Sequence, residues 1–134
     1  ISSEVWSVTS YGELRREGLE HERSRRLNPE ISDEPYVSRC FGDETPTVAT
    51  SDYICSVPEM IQRWIGGRYI VLGTDGFGRS DTREALRSFF EIDTNSIVVA
   101  AISALEQEGK VPSGTVKKEL EKRNLSKERI DKTE

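Results

Sequence analysis

The segment 73–81, Gly-Thr-Asp-Gly-Phe-Gly-Arg-Ser-Asp, is the stretch whose residue types and spacing could support ligand chemistry. It follows an apolar run and precedes a predicted helix, which is where α/β proteins bind anions. Gly76 and Gly78 begin a dinucleotide-binding pattern, but the third glycine of that pattern is missing. The P-loop lysine is also absent, and the carboxylate of Asp81 would repel a pyrophosphate. The segment therefore does not favour a nucleotide site.

Two interpretations of this loop remain open. In the first, it is a tight strand-to-helix turn whose glycines adopt positive φ and whose last residue caps the helix. In the second, the loop also meets a neighbouring domain or subunit, with an apolar anchor at position 77 and a guanidinium suited to a carboxylate at position 79. The predicted structural or interface residues are Asp75, Gly76, Phe77, Gly78, Arg79, Ser80 and Asp81.

Other reactive side chains do not form a recognisable site. The lone His21 lies in a charged helical stretch, so we predict a surface histidine and not a catalytic base. The acidic pairs at 33–34 and 43–44 are predicted to be solvated loop charges. Cys40 and Cys55 are not in a CxxC pair and are predicted to be reduced thiols. The sequence thus predicts no catalytic, cofactor-binding or metal-binding residue.

Size and charge limit the possible partners. The 134 residues suit one domain, and the net charge of −5 disfavours nucleic acid and anionic membranes as partners. We expect no apolar stretch long enough for a bilayer span and no signal peptide. The hydrophobic share of 34% allows only a modest core, so we expect some apolar surface to be covered by another domain. The start at Ile1, without a methionine, suggests a segment of a longer chain.

The periodicity of apolar residues predicts an α/β domain with a buried parallel sheet. In chain order it predicts a strand at 4–9, a helix from Ser10 that Gly18 ends or breaks, a helix at 20–27, a helical turn at 36–41, a strand at 46–50, a helix from Ser56 to Gly66, a strand at 68–73, helices capped by Asp81 and Asp93, a helix at 112–123 and a frayed tail at 125–134. Three strands are fewer than the ~5–6 of a usual sheet, so the sheet is small or begins upstream.

Three stretches carry a resemblance to a known family. They are VWSVTSYGELRREG (5–18), ATSDYICSVPEMIQRWI (49–65) and RYIVLGTDGFGRSDTREALRSFFEID (68–93), and the similarity continues through SIVVAAISALEQEGKV (96–111). In wording, order and spacing they resemble the C-terminal domain of the homodimeric bacterial pyruvate dehydrogenase decarboxylating components, which belong to the transketolase superfamily. One departure is Ser24, where the family pattern has a tryptophan.

The resemblance implies a single domain over 1–134, the last of a longer chain. It implies a three-layer α/β/α fold with a mixed, mostly parallel sheet, from which the first strand and helix are missing here. The intact enzyme would decarboxylate pyruvate on thiamine diphosphate and magnesium, held by upstream domains and not by this one. Its partners would be a second identical subunit, the upstream domains and the dihydrolipoamide acetyltransferase, in the bacterial cytoplasm. No catalytic residue is implied within this segment.

Two alternatives stay open beside the resemblance. One is a free-standing flavodoxin-like or receiver-like domain that binds a ligand or partner. A receiver would need an acidic cluster and a lysine at the strand ends, where this sequence offers Thr50-Ser51-Asp52 and Thr74-Asp75. The other is the equivalent domain of a transketolase or of a two-subunit dehydrogenase with the same fold.

Overall fold

The computed structural model describes residues 1–125, so the predicted tail lies outside the described residues apart from its first position. Residues 1–125 form two strands, β1 (Thr47–Thr50) and β2 (Tyr69–Leu72), a 3₁₀ turn (Gln62–Trp64) and six helices, namely α1 (Tyr11–Leu27), α2 (Tyr36–Phe41), α3 (Ser56–Glu59), α4 (Arg83–Phe89), α5 (Thr94–Gln107) and α6 (Thr115–Lys122).

The two strands form a small parallel sheet. Thr47 lies opposite Tyr69, and the register continues to Thr50 opposite Leu72. Parallel strands need a crossover connection, which α3 and the 3₁₀ turn provide here. Helix α5 packs against both strands, and Tyr69 of β2 packs against a cluster of helical side chains. Helices and a parallel sheet thus combine as predicted for the α/β class.

The predicted first strand is wrong. Residues 4–9 have no regular secondary structure, although their alternating pattern suits a strand. A strand needs a hydrogen-bonded neighbour, and within residues 1–125 the only paired strands are β1 and β2. Trp6 is 51% exposed, and its ring contacts that of Phe41 edge-on at 5.2 Å between centroids. The segment therefore contacts the rest of the fold through an aromatic pair and does not form a ladder of hydrogen bonds.

Helix α1 begins as predicted but does not stop at Gly18. The Ser10 hydroxyl oxygen accepts a hydrogen bond from the backbone N–H of Glu13 at 3.1 Å, the expected N-cap contact. The helix then continues without a break for 17 residues and ends before Asn28. Gly18 is buried, and a Cβ atom there would lie 2.7 Å from ring atoms of Trp64. The glycine therefore permits close packing and does not end the helix.

The main core lies among the helices and not around the sheet. We call it the helical cluster. It consists of the buried side chains of Val37, Ile61 and Trp64, with half-buried neighbours packed around them, namely Tyr11, Leu14, Leu19, Phe41, Ile65 and Tyr69. Tyr69 also donates a hydrogen bond from its hydroxyl to the carbonyl of Pro58 at 3.0 Å. Burial raises the pKa of Tyr69, which keeps its phenol protonated.

The predicted helix from Ser56 to Gly66 is shorter than expected. It begins at Ser56 with Pro58 in its first turn, as predicted, but ends at Glu59. The 3₁₀ turn then places Trp64 in the helical cluster. Cys55 occupies the N-cap position of this helix and makes no side-chain cap hydrogen bond.

Residues 83–107 correct the expectation that no stretch is long enough to span a bilayer. By length and composition alone, this stretch is apolar enough to cross a membrane as one helix. In the structure it forms two helices, α4 and α5. Glu91 between them has a left-handed backbone with φ of 57°, and the Asp93 carboxylate caps α5 by accepting the N–H of Ser96 at 2.8 Å. Helix α5 alone has 14 residues, or about 21 Å, short of the ~30 Å hydrocarbon core.

Candidate functional site

Two loops leave the sheet at one edge, where parallel strands place their carboxyl ends. Residues 51–55 follow β1, and residues 73–82 follow β2. The Thr74 hydroxyl donates to the carbonyl of Asp52 at 2.8 Å, and the Thr74 backbone N–H donates to the carbonyl of Tyr53 at 3.0 Å. These bonds hold the two loops against each other, so the residues that follow share one surface.

Asp75 provides a third bond between the loops. Its carboxylate accepts the backbone N–H of Cys55 at 3.0 Å, immediately before α3. This N–H belongs to a helix start, where backbone donors lack partners within the helix. Gly73 lets the loops approach, because a Cβ atom there would lie 2.7 Å from the carbonyl oxygen of Tyr53. Asp75 thus connects the loops, which is a structural role.

The two glycines of the predicted loop, Gly76 and Gly78, differ in backbone conformation. Gly76 has φ of 109°, a conformation that other residues rarely adopt, which confirms the expected turn. Gly78 does not have positive φ, and a Cβ atom there would meet nothing within 4 Å. The fold of this chain therefore requires a glycine at position 76 and not at position 78.

Phe77 and Arg79 are both exposed, and Arg79 also contacts a ring of α4. The Phe77 side chain is 70% exposed. The guanidinium carbon of Arg79 lies 4.5 Å from the ring centroid of Phe89, a cation–π contact that fixes the arginine against α4. A guanidinium carries N–H donors in a planar fork that suits a carboxylate. Ser80 is exposed and lies in an irregular stretch.

Asp81 is not the cap of α4, as the sequence had predicted. The cap is Thr82, whose hydroxyl oxygen accepts the backbone N–H of Ala85 at 3.2 Å. The helix begins one residue later than expected, at Arg83, which shifts the cap by one position. The Asp81 carboxylate instead accepts the N–H of Thr82 at 2.7 Å.

These contacts do not fit a bound diphosphate. Asp75 and Asp81 place carboxylates on backbone donors before α3 and α4, where a phosphate would need unoccupied donors and positive charge. Within residues 1–125, no group of three or more His, Cys, Asp or Glu side chains is arranged to hold a metal ion. The residues at this edge therefore fit a structural junction better than a thiamine diphosphate site.

The structure adds two residues that sequence reasoning missed. Tyr53 is 67% exposed and Ile54 is 52% exposed, both in the loop after β1. The sequence pattern predicts a helix that starts beside them and gives no reason to group them with Phe77. Their position directly after a strand of a parallel sheet was the available signal, because such residues gather at the carboxyl edge.

His21 is less exposed than predicted. Its side chain is 12% exposed, and Nε2 lies 3.1 Å from a carboxylate oxygen of Asp33. The Asp33 side chain is 66% exposed, as predicted for a solvated loop charge. It also pairs with His21, and this contact joins α1 to the loop at 28–35. Glu17 strengthens the same junction by accepting the backbone N–H of Tyr36 at 3.1 Å. These contacts give the pair a structural role.

The remaining candidates from the sequence are the two cysteines and the acidic pair at 43–44. Cys40 and Cys55 do not form a disulfide, and both are half-buried, as expected of reduced thiols. The Asp43 carboxylate accepts the backbone N–H of Thr45 at 3.1 Å, which stabilises a turn.

An open groove elsewhere includes charged side chains of both signs in its lining. Within it Lys110 pairs with Glu108 at 2.9 Å, and Arg68 lies 3.9 Å from the same carboxylate. These opposite charges compensate one another, so the groove does not form a site for one sign of charge.

Comparison with known proteins connects this geometry to a family. Residues 1–93 match the family described as transketolase-like TK C-terminal domain. This match disfavours a free-standing flavodoxin-like or receiver-like domain.

Curated relatives agree with the family match. The chain is 45% identical over 113 residues to the pyruvate dehydrogenase E1 component of Mycolicibacterium smegmatis, covering 83% of the chain and 12% of that protein. It is 42% identical over 132 residues to that of Pseudomonas aeruginosa (96% of the chain, 15% of the relative). It is 39% identical over 133 residues to that of Escherichia coli K12 (98% and 15%). The chain thus spans between 12% and 15% of the length of these relatives. On the family match over residues 1–93, this chain belongs to the transketolase-like C-terminal domain family.

Proposed function

We propose that this chain is the non-catalytic C-terminal domain of a thiamine-diphosphate-dependent pyruvate dehydrogenase of the acetyl-transferring type. The intact enzyme would decarboxylate pyruvate and reductively acetylate lipoyl groups. The observation that carries the proposal is the 39–45% identity to bacterial proteins named pyruvate dehydrogenase E1 component. Those names favour the pyruvate enzyme over a transketolase.

The proposed role of this domain is dimer organisation and packing on the catalytic core. Two observations support a role without chemistry. The carboxylates at the carboxyl edge already accept hydrogen bonds from backbone donors of their own chain. The His21–Asp33 pair likewise joins two segments of this fold. The domain would therefore act by holding a surface in place.

The cofactors and partners follow from the proposed identity. Thiamine diphosphate and magnesium would be held by upstream domains and not by this one. The partners would be a second identical subunit, the upstream domains and the dihydrolipoamide acetyltransferase, in the bacterial cytoplasm. Nucleic acid and membranes are not proposed as partners, and the net charge of −5 agrees with that choice.

The test uses the complete reading frame that contains this chain. We expect the purified full-length protein, with thiamine diphosphate and Mg²⁺, to oxidise pyruvate with an artificial electron acceptor and to acetylate a lipoyl domain. We expect residues 1–134 alone to give neither reaction and no saturable heat on titration with thiamine diphosphate and Mg²⁺. Ketol transfer between sugar phosphates by the full-length protein would instead indicate a transketolase. Micromolar cofactor binding by residues 1–134 would overturn the non-catalytic role.

A further inference from the structure

Three large apolar side chains are exposed together at the carboxyl edge of the sheet. We call Tyr53, Ile54 and Phe77 the carboxyl-edge surface. Their exposed fractions are 67%, 52% and 70%. Tyr53 and Ile54 precede Cys55, whose N–H is bound by Asp75, and Phe77 follows Asp75 by two residues. The hydrogen bonds between the loops therefore bring side chains from two separate parts of the sequence to one place.

The loops that carry this surface are held in a fixed arrangement. Thr74 and Asp75 connect the two loops through three hydrogen bonds of 2.8–3.0 Å. The contact of Arg79 with Phe89 fixes the far end of the second loop against α4. A preorganised surface loses little conformational entropy when a partner binds. Exposed aromatic side chains beside an arginine are also the composition found at the centre of protein interfaces.

We infer that the carboxyl-edge surface docks on the preceding part of the same longer polypeptide, with Arg79 pairing with a carboxylate of that region. This inference rests on the proposed function, in which the chain is one domain of a larger enzyme. It adds Tyr53 and Ile54 to the interface residues predicted from the sequence. The region that covers them is the preceding part of the polypeptide.

The size of the surface favours a tethered neighbour over a free partner. Large side chains bury ~150–250 Å² each, so the three exposed fractions together offer roughly 400 Å². A stable complex between separate proteins buries ~800 Å² on each partner. A neighbouring domain on the same chain can dock through less, because the tether raises its effective concentration. The relatives supply such a neighbour, since this chain covers only 12–15% of their length.

Hydrogen–deuterium exchange on the full-length protein tests the inference. Phe77→Asp is compared with Leu27→Asp, a matched control because Leu27 is also 70% exposed but ends α1. We expect Phe77→Asp to accelerate exchange in peptides covering 53–55 and 75–80 by about tenfold or more, equivalent to ~1.4 kcal/mol. We expect Leu27→Asp to leave these peptides unchanged. Circular dichroism should be the same for both variants, because both side chains are exposed.

The outcomes separate this inference from the proposed function. Equal exchange in the wild type and in both variants would overturn the docking. Protection that disappears on dilution to monomers would assign the surface to a second copy and would also overturn the inference. Neither measurement depends on activity. Conversely, a wild-type protein that protects both loops but does not oxidise pyruvate would support the docking and overturn the proposed function.

Discussion

The helical cluster and the carboxyl-edge surface use the same kinds of side chain in opposite ways. Trp64 is 8% exposed and is packed against Gly18 of α1, whereas Phe77 is 70% exposed at the tip of a loop. The cluster is complete within this chain because helices surround it. The carboxyl-edge surface is held in shape by polar bonds that leave its apolar side chains uncovered. We therefore distinguish side chains that stabilise this domain from side chains that prepare it for a neighbour.

The strongest test of this comparison is truncation of one aromatic residue in each region. Trp64→Ala removes a buried side chain from the helical cluster and should lower the free energy of unfolding by about 3–5 kcal/mol. Phe77→Ala removes an exposed one and should change that free energy by less than ~0.5 kcal/mol. Urea denaturation of residues 1–134, followed by circular dichroism, measures both. Comparable losses for the two variants would remove the distinction between the regions.

Gly18→Ala tests the close contact that completes the cluster. Alanine should favour the helix by ~0.5–1 kcal/mol, but its Cβ would lie 2.7 Å from the Trp64 ring. Overpacking of this kind costs about 1–3 kcal/mol, so the net effect should be destabilising by about 1 kcal/mol. In the Trp64→Ala background the contact is absent, and Gly18→Ala should become stabilising. The same sign in both backgrounds in urea denaturation would show that the contact is not the cause.

Asp75→Ala should loosen the carboxyl-edge surface without unfolding the cluster. It removes the acceptor for the N–H of Cys55, so we expect a loss of about 1 kcal/mol in the free energy of unfolding. Hydrogen exchange of the Cys55 amide, measured by NMR, should accelerate. Exchange of the amides in the helical cluster should accelerate only as much as the lower global free energy of unfolding requires. Asp75→Asn is the matched control, because its side-chain oxygen can still accept the bond and should retain most of the protection.

Substitutions at the N-cap of α4 should have a smaller effect on stability. Thr82→Ala should destabilise the chain by about 0.5–1 kcal/mol, because Thr82 supplies the N-cap oxygen of α4. Asp81→Ala should have less effect, since the Asp81 carboxylate accepts the N–H of the next residue, Thr82, and not an N–H within α4. Thermal unfolding of both variants ranks them. A larger loss for Asp81→Ala would restore the cap that the sequence predicted.

Glu106 links α5 to α6 and should make stability depend on acid pH. Its carboxylate accepts the backbone N–H groups of Val116 at 2.7 Å and Gly114 at 2.9 Å, and these bonds lower its pKa. A carboxyl whose pKa is lower in the folded state stabilises the fold at pH values above its ordinary pKa of about 4.3. This stabilisation is lost as the pH falls through the lowered pKa.

Glu106→Gln provides the comparison for this prediction. At neutral pH the variant should be slightly less stable than the wild type, because it lacks the charge-assisted bonds. The difference should shrink as the pH falls below about 4. Urea midpoints measured between neutral and acid pH check this. A difference that stays constant across this range would contradict the ionised role of Glu106.

Local sequence signals predicted the elements that depend on neighbouring residues. Ser10 and Asp93 were identified as caps because an N-cap bond reaches only three residues along the chain. The apolar run at 68–73 was predicted to be a strand of a parallel sheet, and β2 confirms it. The turn at Gly76 followed from its residue type. These features are set by short-range geometry and by the backbone preferences of single residues.

Long-range contacts decided the rest. The alternating segment 4–9 is not a strand here, because a strand also needs a neighbour to pair with. Gly18 does not end α1, because Trp64, 46 positions later, packs against it. The capping of α6 by Glu106 and the joining of the two loops by the bond between Cys55 and Asp75 have no local pattern. The sequence by itself therefore determined the α/β class and the family resemblance. Only the tertiary structure decided which apolar side chains became core and which formed a surface, because burial depends on contacts between distant parts of the chain.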